Sequence, residues 1–222
     1  MSQARTFLGS SIGRKVIMAV TGVILFGYVF GHMVGNLQVY LGPEALNHYA
    51  VLLRQILHGW AIWAVRVVML AAVGLHIWAA TSLTLESWRA RPHGYREQKW
   101  NESTYASRTM RWGGVIILLF VIFHILNLTT GTVHPNFNFV EGDVYHNFVG
   151  TFQNVPTSIV YMIAMIALAL HLRHGVWSMF QTLGVSHPRY IAWAHAAAWA
   201  FAVLILVGNL SFPIMVLAGV IH

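Results

Sequence analysis

Long apolar stretches alternate with short polar ones along this chain, and the alternation has the length scale of a lipid bilayer. Five segments, at about residues 15–39, 61–85, 109–131, 156–180 and 190–219, are almost free of acids and bases. A helix needs about 20 apolar residues to cross the hydrocarbon core. The pattern therefore predicts five transmembrane helices, segments I to V. Away from the segment ends only Arg66 and Arg173 are charged inside them. Together they fill the chain, so residues 1–222 read as one all-α membrane bundle. No soluble domain is left over to hold a separate active site.

The connections carry their own pattern. Between segments I and II, Gly42-Pro43 precedes Leu46, Ala50, Leu53 and Leu57. Proline at a first helical position and an apolar stripe at helical spacing predict a short interfacial helix. Residues 86–108 are polar and basic. Residues 131–155 contain Pro135, several asparagines and aromatics. A connection of that length is uncommon and often functional; it is expected to cover one end of the bundle. Trp60, Trp63, Trp88, Trp112 and Trp193 fall near predicted helix ends, where interfacial belts form. Gly27, Gly31 and Gly35 give segment I a face without side chains. Such a face suits close packing of a second helix or of a flat macrocycle.

Composition agrees with a lipid environment: 57% of residues are hydrophobic and 9% charged, against about 25% charged in soluble domains. The net charge of +7 is a matter of topology rather than of nucleic-acid binding. Arg5, Arg14 and Lys15 precede segment I. Arg89, Arg91, Arg96, Lys99, Arg108 and Arg111 surround the second connection, and Arg189 lies in the fourth. The opposite connections hold Arg54, Glu141 and Asp143. The positive-inside rule then predicts a cytoplasmic N-terminus and an external C-terminus in a bacterial cytoplasmic membrane. Segment I follows basic residues like a signal peptide. It is longer than one and lacks a small-x-small site, so it is expected to be retained. The chain has no cysteine, which excludes disulfides, iron–sulfur ligation by this chain and c-type haem attachment.

Candidate chemistry lies in histidines within the apolar segments. An ionisable residue at membrane depth is costly and reads as functional. His32, His76, His124 and His171 occupy four different segments. At about 1.5 Å of rise per residue, His32 and His124 fall in the outer half. His76 and His171 fall in the inner half, roughly 10 Å away along the membrane normal by the same rise. Two histidines facing one another from two helices suit the axial positions of a haem iron. Zinc prefers about four ligands, and no Asp, Glu or Cys stands at either depth. The expectation is two haems b: an outer one on His32 and His124, and an inner one on His76 and His171. His174, one turn from His171, is an open rival. Arg66 and Arg173 are candidates for haem propionates, or for snorkelling to the interfaces. Asn47 and His48 are candidates for a polar quinone pocket near the outer haem. His58, His134, His146 and His187 lie in or near connections, where solvated histidines are ordinary.

These residues resemble a known family. Segment I reads Ser10-Ser11-Ile12-Gly13-Arg14-Lys15, then Met18-Ala19-Val20-Thr21-Gly22, then His32 and Gly35-Asn36-Leu37. Segment IV reads His171, Gly175 and Trp177, continuing Ser178, Phe180, Gln181, Thr182 and Gly184. Both are similar to the five-helix, two-haem cytochrome b subunit of succinate:quinone oxidoreductases (complex II) and fumarate reductases. The resemblance covers essentially the whole chain and favours His171 over His174. It implies a flavoprotein with covalent FAD and an iron–sulfur subunit docked on the cytoplasmic side, where the dicarboxylate chemistry takes place. Electrons would pass from the iron–sulfur subunit to the inner haem, the outer haem and a membrane quinone, usually menaquinone. The resemblance is compatible with a higher oligomer of the complex and does not fix the oligomeric state. Three alternatives stay open: a quinol:fumarate reductase running the reverse way, the cytochrome b anchor of another membrane dehydrogenase, and a haem-free transporter.

Overall fold

A computed structural model describes residues 9–90, 105–134, 137–185 and 187–222. Arg5, Arg91, Arg96, Lys99 and Pro135 lie outside them. Most of the described residues are helical, with no strand among them. In chain order the elements are α1 (Ser11–Asn36), a 3₁₀ turn (Leu37–Leu41), α2 (Pro43–Gln55), a short link (Ile56–Gly59), α3 (Trp60–Arg89) and α4 (Tyr105–His124). A π turn (Ile125–Thr129), α5 (Val144–Gln153), α6 (Val155–Thr182) and α7 (Pro188–Leu217) follow. Helices α1, α3, α4, α6 and α7 are each long and apolar enough to cross a membrane, in agreement with the five segments. The chain is an all-α membrane bundle.

Local chemistry explains where the helices begin. The Ser10 hydroxyl accepts from the Gly13 amide at 3.0 Å and opens α1. Asn154 accepts from the Thr157 amide at 3.0 Å, with Pro156 in the first turn of α6. His187 precedes Pro188 at the start of α7. Each device satisfies an amide that the helix itself leaves without a partner. The predicted interfacial helix exists as α2, with Leu46 buried at 2% exposure. Between α2 and α3, Leu57 (φ 52°), His58 (φ 54°) and Gly59 (φ 87°) are all left-handed. Only the glycine takes that conformation without steric cost.

The five long helices alternate in direction. One end of the bundle, where α1, α4 and α7 start, is the basic end. There the Arg14 guanidinium meets Glu86 at 2.7 Å and ties α1 to α3. The opposite end is capped by α2 and α5. The connection expected over 131–155 thus contains a ten-residue helix. Asp143 opens α5 by accepting from the His146 amide at 3.0 Å, and Asn147 through Phe152 are all buried. Phe148, Val149 and Phe152 pack with Val39, Leu46, Tyr161, Phe212, Val216 and Ile221 into the main apolar core. A smaller core of Met33, Leu172 and Ile205 sits deeper. Trp60 and Trp63 at the capped end, and Trp88, Trp112 and Trp193 at the basic end, are exposed, as two interfacial belts require.

Helix α6 is the hub, packing against α4, α7 and α1, while α3 packs mainly on α1. The helices that carry facing histidines, α1 with α4 and α3 with α6, are not among the extensively packed pairs.

Candidate functional site

The four membrane histidines meet in two pairs. His32 on α1 and His124 on α4 have ring centroids 5.8 Å apart with planes at 86°. His76 on α3 and His171 on α6 have centroids 6.2 Å apart at 57°. A metal–imidazole bond of about 2.0 Å, with the ring centre about 1 Å behind its nitrogen, puts two trans ligands roughly 6 Å apart, centre to centre. Both pairs match that span. Histidine His174, the rival on α6, has no ring contact with His76; the structure brings His171 there instead.

The hydrogen bonds around the basic-end pair fix which ring nitrogen is bare. Thr21 Oγ1 lies 2.7 Å from the Ile17 carbonyl, to which its one hydrogen is committed. It also lies 3.0 Å from His76 Nδ1. Its oxygen can therefore only accept there, so His76 carries its proton on Nδ1 and leaves Nε2 as a lone-pair donor. A second ring-nitrogen hydrogen bond of this kind is what orients metal-binding histidines. On the facing side, His171 Nδ1 is buried and has no hydrogen-bond partner among the described residues. An unpartnered buried nitrogen is costly unless a ligand meets the ring.

The capped-end pair sits among aromatic rings. Tyr28 stacks on His32 at 5.6 Å, and Phe120 and Tyr161 flank His124 at 5.7 and 5.8 Å. His32 Nε2 lies 3.2 Å from Asn36 Nδ2, and His124 Nδ1 lies 3.2 Å from the Tyr161 hydroxyl. The two levels are distinct. Along α6, Tyr161 and His171 are roughly 15 Å apart at about 1.5 Å per residue.

Several glycines leave the helix backbone bare, and a Cβ at Gly22 would meet the His76 ring at 3.7 Å. A Cβ at Gly27 or Gly31 on α1, at Gly74 on α3, or at Gly113 or Gly114 on α4 would meet nothing within 4 Å. The glycine face of α1 is not uniform, however. Gly35 is filled by the Tyr49 hydroxyl, and Gly208 of α7 receives the Met33 side chain of α1.

The residue types and spacing fit a haem b at each pair better than a bare metal ion. Among the described residues no three His, Asp or Glu side chains converge. A lone ion would have two protein ligands, whereas a macrocycle brings its own equatorial set.

The other candidates have defined places. Arg66 lies over Trp63, 4.8 Å from the ring centre, and Arg173 lies over Trp199 at 4.2 Å. Arg173 and His171 are two positions apart and so do not share a helix face; Arg173 faces α7. The Asn47 side chain is engaged at both ends, donating to Asp143 at 3.0 Å and accepting from the Tyr145 amide at 3.0 Å. It clamps α2 to α5. His48 is exposed one residue later.

Residues that sequence reasoning passed over are Thr21, Tyr161 and Asn127, together with His195, which stacks on Trp177 at 3.7 Å. His195 carried a legible signal, a histidine inside segment V. The others are ordinary polar residues until the helices are placed. No protein-family profile, curated protein or solved structure matches the chain.

Proposed function

We propose that this chain is the dihaem cytochrome b membrane anchor of a succinate:quinone oxidoreductase. The observation that carries the reading is the pair of facing histidines at each of two levels, spaced at 5.8 and 6.2 Å between ring centres. Haem b bound at each pair would supply reversible one-electron chemistry within the bilayer. His32, His124, His76 and His171 would hold the two groups, with His32 giving up the Asn36 contact at its Nε2. Thr21 holds His76 in the tautomer that ligation needs. The glycines of α1, α3 and α4 leave the backbone bare where a macrocycle would lie, and the apolar helices keep water from it. Arg66 is a candidate for a propionate and His48 for the quinone end; Arg173, turned toward α7, and Asn47, held by Asp143 and Tyr145, are already engaged.

On this reading the basic end faces the cytoplasm and receives the iron–sulfur and flavoprotein subunits, where succinate is oxidised. Menaquinone would react toward the capped end. An electron moved between the two ends crosses the membrane potential, worth about 2.3 kcal/mol per 100 mV. The deciding test is a dithionite-reduced minus oxidised visible spectrum of the purified complex, with haem counted per chain. The expected result is two b-type haems per chain. One haem means that one pair is not a ligand pair, and none overturns the proposal.

A further inference from the structure

Asn127, in the π turn that follows α4, is fully buried. Its amide nitrogen donates to the Val133 carbonyl at 2.9 Å, which fixes the amide's orientation. The amide oxygen then faces two hydroxyls, Tyr161 at 2.9 Å and Thr151 at 3.2 Å. Both must donate to it. Tyr161 has one hydroxyl hydrogen, and it is committed to Asn127. Toward His124 Nδ1, 3.2 Å away, the phenol oxygen can only accept. His124 therefore carries its proton on Nδ1, and Nε2 is its bare nitrogen. The phenol is itself locked: Phe120 and Phe152 each pack edge-on against its ring at 4.9 Å. Thr151 belongs to α5, so the network reaches from the capping helix to the ring of His124.

We infer that Tyr161 is a positioning residue that accepts the His124 Nδ1 proton, orients the imidazole and sets the reduction potential of the group bound at the capped-end pair. This rests on the dihaem reading above. An imidazole that donates its second N–H to oxygen is a more basic ligand and favours the oxidised iron. Loss of that bond favours reduction at this site alone. Partners of this kind typically change metal affinity or activity by about 10–100-fold.

The test is Tyr161→Phe in the intact complex, with haem counted and each haem titrated separately by EPR. The expected result is retention of the basic-end haem at its own potential. The capped-end haem shifts by about tenfold toward reduction, equivalent to about 59 mV for one electron. An unchanged capped-end potential, or an equal shift at both haems, overturns the inference. If the variant does not accumulate, the oxidised wild type decides. Pulsed EPR after transfer to deuterium oxide must show a slowly exchanging Nδ1 proton on that haem's histidine, and rapid exchange overturns the inference. A wild type without haem sinks the dihaem reading; a haem-replete wild type with an indifferent Tyr161→Phe variant sinks only this inference.

Discussion

Hydroxyl hydrogens decide the chemistry of the histidine rings. Thr21 spends its hydrogen on a helix carbonyl and Tyr161 on an amide, and each thereby becomes an acceptor for a histidine. Thr21→Val keeps the shape and removes the acceptor. It is expected to shift or weaken only the haem on His76 and His171, by about 10–100-fold in affinity, as read by haem content and by titration. Asp143 behaves differently, because it lies at the capped end outside the spans. The amide of His146 and the side chain of Asn47 stabilise its charged form and hold its pKa below the ordinary carboxylate range. A depressed carboxylate adds stability above the ordinary carboxylate range and loses it as pH falls through its folded pKa. Asp143→Ala, which also removes the helix cap, should cost about 0.5–2 kcal/mol at neutral pH. The gap between the melting curves of wild type and variant should narrow as pH falls below the ordinary carboxylate range and through the lower folded pKa, where the folded carboxyl is protonated too. The four histidines were legible in the sequence because a charge-capable ring stands out in lipid. Thr21, Tyr161 and Asn127 were not, since a hydroxyl in a helix is common and its partner lies on another helix.

Helices of this chain make two kinds of glycine contact, and substitution separates them. Gly208→Leu drives a side chain into the buried Met33 and is expected to cost about 1–3 kcal/mol of overpacking, seen as a lower melting temperature. Gly31→Leu meets no protein atom. Its expected effect is loss of the capped-end haem with the basic-end haem spectrum intact; two haems in that variant would refute the macrocycle reading of this face. The spans were legible because charge is absent over bilayer-length runs, and the observed ends differ from the reading by a few residues. Helix α2 was legible from its proline and leucine spacing. Helix α5 was not: Val144–Gln153 mixes Asn, Gly and Thr with aromatics and is too short to span. It is helical because Asp143 caps it and because Phe148, Val149 and Phe152 find a core supplied by distant segments.

At the scale of the whole molecule, the two histidine levels join the chain in an interlocked order, α1 to α4 and α3 to α6. His32→Leu and His124→Leu are expected to remove the same haem, and His76→Leu and His171→Leu the other; a His171→Leu variant that keeps both haems transfers the role to His174. In intact cells, an uncoupler should change the succinate:menaquinone rate if electrons cross the membrane, and an unchanged rate would contradict that path. The interlocked order also bears on biosynthesis. The first three helices to leave the ribosome contain one histidine of each pair and neither partner. The capping helix and Tyr161 follow only after α4. A nascent chain halted before α6 holds at most one paired level and lacks the Tyr161 hydroxyl that meets its His124 ring. On the dihaem reading, loading of both levels would therefore be a late event, confined to chains in which α6 has been inserted.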